Sequence, residues 1–274
     1  VADYDKVIAL GAGQRNVYYW RAVALRVIGE TDRAIADFGK AAEIDPTFDS
    51  AFYQRGLAYA AKRDYDGAIA DYDRALAIDP KDPMPYQARG DAWRHKRDLD
   101  RAIADYTKAL ELNPKAKDVL NSRGYVLIGK REYDRAIADY DALIAIDPTS
   151  IVGFFNRGRA YAGKGDLDKA IADFTKGIAL DPKDPDPLVE RADIFRTRRE
   201  YEHAVLDYGK AVTLAPKAAR PLYGRGLALR SLRRYDEAIA DFSRVVEIDP
   251  KHQWAFMERG LALKSLRRDD EAIA

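Results

Sequence analysis

Seven prolines recur every 34 residues along this chain, and that spacing constrains the fold more than any other feature. They are Pro46, Pro80, Pro114, Pro148, Pro182, Pro216 and Pro250. An alanine register from Ala34 to Ala272 and an arginine register from Arg21 to Arg259 keep the same spacing. A fixed period of roughly 20 to 50 residues is typical of repeat proteins, in which each unit packs on its neighbours. The sequence therefore predicts a solenoid.

Each repeat is numbered here so that its proline occupies position 32, which makes residues 15–48 the first complete repeat. Seven complete repeats then fill residues 15–252. Residues 1–14 are interpreted as the second helix of a partial repeat, and residues 253–274 as a truncated eighth repeat whose second helix stops at Ile273–Ala274. A length of 274 residues would suggest about two domains. The repeat instead predicts one continuous array over residues 1–274.

The repeat at residues 49–82 predicts two helices. Phe52, Gly56 and Tyr59 follow the i, i+4, i+7 spacing of one helical face, and a second apolar stripe runs through Tyr72. Between these stripes, Asp64 is expected to cap the second helix. Pro80 ends the repeat because proline cannot donate the interior hydrogen bond of a helix.

Glycine recurs at position 8, in the middle of the first predicted helix. A helical glycine costs about 1 kcal/mol relative to alanine, so its recurrence indicates a close approach of two helices at this point. Large rings at position 24 of the second helix are expected to fill the space around it. These rings are Phe38, Tyr72, Tyr106, Tyr140, Phe174, Tyr208 and Phe242.

These positions resemble the tetratricopeptide repeat over the whole chain, with Gly or Ala at 8, Tyr or Leu at 11, Ala at 20, Tyr or Phe at 24 and Pro at 32. The resemblance implies an all-α fold, an α-solenoid whose antiparallel helix pairs stack into a right-handed superhelix with the first helices on the inner wall. Members that bind acidic chaperone termini carry Lys at position 5 and Asn at position 9. Neither occurs here, so a cochaperone role is disfavoured.

The overall charge is close to neutral, with 46 Lys plus Arg against 45 Asp plus Glu. No global field would therefore recruit nucleic acid or an anionic membrane, and no apolar run has the roughly 20 residues that a membrane helix needs. The chain has no cysteine. It begins with Val1, so a signal peptide could have preceded it, and both a cytoplasmic and an exported location stay open.

Arginine at position 7 is matched in every complete repeat by aspartate at position 23. One hypothesis is a row of anion-binding arginines. The other, which we favour, is an arginine–carboxylate bond between helices or between adjacent repeats, bidentate where geometry allows.

A second stripe on each first helix, positions 2, 5, 9 and 12, is rotated away from the core and is called the groove stripe below. It mixes aromatic and basic residues, a composition enriched at binding surfaces, and its rings are expected not to be needed for packing. The alternative is an ordinary exposed helix face with local Asp91–Arg94 and Asp193–Arg196 pairs. The candidate partner-binding residues are Tyr19, Tyr53, Arg94, Tyr125, Phe155, Arg159, Arg196, Tyr223, Arg230 and Lys264.

Signals for catalysis are missing from the sequence. His95, His203 and His252 fall at three different repeat positions, there is no thiol, and no phosphate-binding glycine loop is recognisable. We therefore expect no enzyme activity, no cofactor and no metal. The predicted function is a scaffold that holds a peptide or helix of a protein partner, with an acidic segment as one candidate ligand. Binding to nucleic acid or to a membrane is not expected. The alternative is a regulatory or substrate-recruiting arm of a larger enzyme whose catalytic domain lies outside residues 1–274.

The two half-repeats at the ends are complementary in register. Residues 1–14 correspond to positions 21–34 and residues 253–274 to positions 1–22. Complementary, non-identical surfaces favour head-to-tail contacts, so self-association through the two half-repeats is expected.

Overall fold

The computed structural model describes residues 1–268, and within them the backbone is helical with no β-strand. The predicted second helix of the eighth repeat, residues 269–274, lies outside the described residues. The helices form two compact units, Val1–Glu132 and Tyr133–Ala274. The boundary between these units falls inside the fourth repeat, so the single continuous array over residues 1–274 stays a prediction.

The first unit contains helices α1 to α8. Their bounds are α1 Ala2–Ala9, α2 Arg15–Val27, α3 Thr31–Ile44, α4 Asp49–Ala61, α5 Tyr65–Ile78, α6 Pro83–His95, α7 Leu99–Leu112 and α8 Lys117–Gly129. The second unit contains the other eight described helices. Their bounds are α9 Tyr133–Ile146, α10 Ile151–Lys164, α11 Leu167–Leu180, α12 Asp186–Thr197, α13 Tyr201–Leu214, α14 Ala219–Ser231, α15 Tyr235–Ile248 and α16 Gln253–Ser265.

Helix pairs joined by short turns are the building blocks of both units. In the first unit α2 packs on α3, α4 on α5 and α6 on α7, and each pair packs on the next. In the second unit α10 packs on α11, α12 on α13 and α14 on α15 in the same way. The all-α solenoid of paired helices predicted from the 34-residue period is confirmed. The first helices begin at or within one residue of position 1 of their repeats.

The helix cap and the glycine–ring contact predicted for the repeat at residues 49–82 are both present. The Asp64 carboxylate accepts a hydrogen bond from the backbone N–H of Gly67 at 3.0 Å, which caps α5. A Cβ placed on Gly56 would lie 2.5 Å from Cε1 of Tyr72, closer than real atoms approach. The predicted contact between a position 8 glycine and a position 24 ring is therefore confirmed, and this ring is fully buried.

The arginine of position 7 and the aspartate of position 23 join the two helices of a repeat. In each case Nε and Nη2 donate to the two oxygens of one buried carboxylate at 2.6–2.9 Å. These bidentate pairs are Arg21–Asp37, Arg55–Asp71, Arg89–Asp105, Arg157–Asp173, Arg191–Asp207 and Arg225–Asp241. The structural interpretation of the arginine register is confirmed. Removing the arginine would leave the buried aspartate charge uncompensated.

The remaining guanidinium arm, Nη1, reaches back to position 25 of the preceding repeat. Arg21 Nη1 donates to Asp5 at 2.7 Å and Arg157 Nη1 to Asp141 at 2.6 Å. Where position 25 is threonine, the threonine hydroxyl accepts this hydrogen bond instead of a carboxylate. Arg191 Nη1 donates to the Thr175 hydroxyl at 2.7 Å. One arginine thus connects three helices of two successive repeats.

Candidate functional site

The first helices of successive repeats lie next to one another within each unit. In the first unit α2 contacts α4, α4 contacts α6 and α6 contacts α8, whereas none of α3, α5 and α7 contacts another of the three. In the second unit α10, α12, α14 and α16 form the corresponding row. Because the first helices are the closer set, they line the inner side of each stack. The groove stripe is on these helices.

The aromatic residues at position 5 are half-buried and rest on the rings of position 24. Ring centroids are 5.6 Å apart for Tyr19 and Phe38, 6.0 Å for Tyr53 and Tyr72, 5.9 Å for Phe155 and Phe174, and 5.8 Å for Tyr223 and Phe242. The expectation that these rings are not needed for packing is wrong, because each covers a core ring. Burial raises the pKa of Tyr53 above its ordinary value. These packed rings lie on the inner side of each unit.

Larger exposed apolar side chains of the groove stripe occur at positions 9 and 2. Tyr125 at position 9 is 53 % exposed. Met84, Val152 and Trp254 at position 2 are 52 %, 48 % and 63 % exposed. Position 2 belongs to the groove stripe predicted from the sequence, but its residues were not among the candidate partner-binding residues. Their hydrophobic character at an exposed position was the available signal.

A polar network lies at the stripe in the first unit. The Tyr106 hydroxyl donates to a carboxylate oxygen of Asp91 at 2.7 Å, and Arg94 lies 3.5 Å from the same oxygen. The local Asp91–Arg94 pair, held open as an alternative from the sequence, is present. Arg94 is therefore a cation that already has a carboxylate partner.

The corresponding network in the second unit has a further member. The Tyr208 hydroxyl donates to Asp193, whose second oxygen accepts a hydrogen bond from Arg220 at 2.7 Å. Arg196 lies 3.7 Å from the Asp193 carboxylate, and its Nε is buried without a hydrogen-bond partner among the described residues. Asp193 thus joins the first helices α12 and α14.

The other candidate cations differ in whether a carboxylate compensates their charge. Arg230 is paired with Glu258 at 2.8 Å. Arg159 stacks over the Phe155 ring at 5.9 Å, and within residues 1–268 neither Arg159 nor Lys264 has a carboxylate partner. Lys264 and Arg230 line a shared cavity of about 460 Å³. Arg159 and Lys264 are the candidate cations available to an acidic ligand.

Each of the three histidines lies against an aromatic ring in its own repeat neighbourhood. His95 stacks on Tyr65 at 4.9 Å, His203 packs on Phe195, and His252 caps α16 by accepting from the backbone N–H of Ala255 at 3.1 Å. Across the described part of the chain, no group of three His, Asp or Glu side chains is arranged to hold a metal ion. No helix in residues 1–268 is both long and apolar enough to cross a membrane.

Comparison with known families agrees with this geometry. Three models described as tetratricopeptide or TPR repeats match the chain at residues 50–82, 151–184 and 219–252, at 88–151, and at 24–63. The chain belongs to the tetratricopeptide repeat family. The tetratricopeptide fold supports a protein-interaction scaffold, and proteins of this family bind protein partners.

Solved tetratricopeptide structures resemble the chain in fold. The C-terminal part of a TPR protein from Cytophaga hutchinsonii has a TM-score of 0.73 at 20% identity and covers 88% of this chain and 98% of its own. A tetratricopeptide repeat protein from Parabacteroides merdae has a TM-score of 0.66 at 18% identity, covering 91% and 98%. YrrB, a TPR protein with an unusual peptide-binding site, has a TM-score of 0.55 at 20% identity, covering 68% and 96%. A sequence search of curated proteins finds no match.

Proposed function

We propose that this chain is a non-catalytic scaffold that binds a peptide or helix of a protein partner along the groove stripe of its units. The observation that carries the proposal is an unpaired cation, Arg159, placed over the packed ring of Phe155. In the second unit, Phe155 rests on the core ring of Phe174 and holds Arg159 above its face. A ring that is already packed loses little freedom on binding, which makes it a good anchor.

The charge of the stripe favours an acidic segment. Arg159 and Lys264 have no carboxylate partner among residues 1–268, whereas Arg94, Arg196 and Arg230 lie beside Asp91, Asp193 and Glu258. An acidic ligand would be steered by the unpaired cations and anchored by the rings. The peptide-binding site named for YrrB supports a peptide as the class of ligand.

Selection of displayed random peptides on the immobilised chain tests this proposal. The selected peptides should be acidic with apolar anchors, and their affinity should fall for the variants Tyr223→Ala and Arg159→Ala. Lys176, an exposed lysine of α11 outside the groove stripe, provides the control variant Lys176→Ala. Peptides that bind Tyr223→Ala and Arg159→Ala as tightly as the parent and the control would place the site elsewhere.

We also propose that the half-repeats at residues 1–14 and 253–268 associate head to tail between copies of this chain. Asp3 stands at position 23, where the other repeats carry the carboxylate that receives arginine. Arg259 stands at position 7, and no residue within 1–268 gives it a bidentate carboxylate. The helix α1 already packs on α2 through the Arg21–Asp5 bond, as a second helix does.

Sedimentation across a concentration series tests this contact. Asp3→Arg or Arg259→Asp alone should reduce association, and the double variant should restore it because the charges are exchanged. A parent chain that stays monomeric at high concentration would contradict the proposal.

A further inference from the structure

The connection between repeats through Nη1 of the position 7 arginine is missing at Arg55. The residue at position 25 of the preceding repeat is Gly39, which has no side chain to accept the hydrogen bond. A Cβ placed on Gly39 would lie 3.1 Å from Nη1 of Arg55, so this arm lies over bare backbone. Nε and Nη2 bind Asp71, and within residues 1–268 nothing accepts a hydrogen bond from Nη1.

Arg55 lines a cavity of about 540 Å³ on the side of α4 that faces away from the groove stripe. A second arginine, Arg74, lines it as well; it is exposed and has no partner in the described part of the chain. The rest of the lining is mainly apolar, from Pro46, Phe52, Ala70, Ala77 and Ile78.

The carboxylates near this cavity are already engaged. Asp71 accepts from Arg55 with both oxygens, at 2.7 Å each. Glu43, which lies within electrostatic reach of Arg55, is paired with Lys40 at 2.8 Å. The cavity is therefore lined by two arginines: Arg55, whose Nη1 has no acceptor within residues 1–268, and Arg74, whose charge no carboxylate compensates there.

The same gap occurs at Arg225 of the second unit, where position 25 is Gly209 and a Cβ would lie 3.7 Å from Nη1. There the arginine that corresponds to Arg74 is Arg244, and it donates to the backbone carbonyl of Pro216 at 3.1 Å. The cavity beside Arg225 is also lined by Arg234, which is bound by Glu237 at 2.7 and 2.8 Å. Of the two sites where position 25 is glycine, the one at Arg55 has a second arginine, Arg74, without a partner among residues 1–268.

We propose that the Arg55–Arg74 cavity binds the carboxylate side chain of an aspartate or glutamate in a partner segment, with an apolar neighbour of that residue against Phe52 and Ile78. A carboxylate is the matching group because other repeats place one against the same guanidinium arm, as Asp5 and Asp141 do. This site faces away from the groove stripe. The proposal for it therefore does not depend on the function proposed for the groove stripe.

Arginine side-chain nitrogen NMR at low salt, with the blocked peptide acetyl-Leu-Glu-Leu-amide as probe, tests the site. The Arg55 and Arg74 signals should shift saturably, and the glutamine analogue should leave them unchanged. Gly39→Asp supplies an internal carboxylate in place of the ligand, so affinity should fall about tenfold or more while the unfolding midpoint is no lower than that of the parent. Arg74→Ala should also weaken binding.

Two control variants separate this site from general electrostatics and from the groove stripe. Lys176→Ala, at the register position of Arg74 in the fifth repeat, and Tyr53→Ala, on the groove stripe, should leave peptide affinity at the Arg55 signal unchanged. Equal shifts with the glutamine analogue, or full affinity in both Gly39→Asp and Arg74→Ala, would overturn the proposal. Loss of binding in Lys176→Ala would show a diffuse charge effect and would overturn it too.

Discussion

The hydroxyl of Tyr106 donates a hydrogen bond to Asp91 at 2.7 Å, across the α6–α7 pair. The corresponding hydroxyl one repeat earlier, that of Tyr72, is fully buried and has no hydrogen-bond partner among residues 1–268. The difference lies at position 9, which is Asp91 in one repeat and Leu57 in the other. A buried polar group without a partner costs about 1–3 kcal/mol.

Replacing each tyrosine by phenylalanine should therefore have opposite effects. Tyr72→Phe removes an unsatisfied hydroxyl and should leave stability unchanged or raise it, by up to about 1 kcal/mol. Tyr106→Phe removes the hydrogen bond to the half-buried Asp91 carboxylate and should cost about 1 kcal/mol. Phenylalanine already fills this position as Phe38, Phe174 and Phe242, so neither change introduces a steric clash. Urea unfolding midpoints measure both variants; equal losses would contradict the assignment.

High pH should unfold the chain through its buried phenols. Burial raises the pKa of Tyr72, Tyr106 and Tyr208 well above the ordinary value of about 10. Because the pKa is higher in the folded state, the contribution of these phenols to stability is complete below the pKa of the unfolded chain. It is lost as the pH rises above that value.

Phenolate absorbance and helical circular dichroism, followed together in an alkaline titration, measure this effect. The phenolate signals of these three residues should appear only as the helical signal is lost. Tyr72→Phe should move alkaline unfolding to higher pH. Ionisation of all three phenols in a chain that keeps its helical signal would be inconsistent with their burial.

Much of the fold could be predicted from the sequence because it depends on residue types at fixed spacing. The period places the first helices, Asp64 caps α5, and position 8 glycines meet position 24 rings. The bidentate pairs such as Arg55–Asp71 were expected from two registers that match in every complete repeat.

The candidate site was predicted less completely, because it depends on rotamers and on contacts between repeats. Tyr53 and Phe155 lie on the predicted stripe but turn partly inwards onto core rings, which sequence spacing does not specify. The third arm of the position 7 arginine was missed. The signal was at position 25, which carries an oxygen-bearing side chain such as Asp5 or Thr175 except at Gly39 and Gly209.

Two glycines of the fifth repeat should respond in opposite directions to alanine. A Cβ on Gly158 would lie 2.8 Å from Cε1 of the fully buried Phe174, so Gly158→Ala should destabilise by about 1–3 kcal/mol through overpacking. A Cβ on Gly177 would lie 3.7 Å from Pro187, an ordinary contact. Gly177→Ala should stabilise by up to about 1 kcal/mol through helix propensity. Alanine is the residue found there in other repeats, as Ala75 and Ala109.

Urea unfolding of the two glycine variants under the same conditions checks this prediction. Circular dichroism before unfolding shows whether both variants keep the helical content of the parent. If Gly158→Ala were as stable as Gly177→Ala, the close approach of α10 to the Phe174 ring would not be rigid.

Alanine substitutions of two groove-stripe arginines should differ in effect, one acting on ligand binding and the other on stability. Arg159 has no carboxylate partner among residues 1–268, so Arg159→Ala should cost about 1 kcal/mol or more of affinity for an acidic peptide with little change in unfolding. Arg94 lies 3.5 Å from Asp91, beside the Tyr106 hydroxyl, so Arg94→Ala should act mainly on stability.

Because the Arg159 charge is solvent-accessible, peptide affinity in the parent should fall with added salt, and this salt dependence should be weaker in Arg159→Ala. Titrations of one selected acidic peptide at two salt concentrations, with urea unfolding of each variant, measure both effects. An Arg159→Ala chain that binds the peptide with the affinity and salt dependence of the parent would remove this arginine from the ligand site.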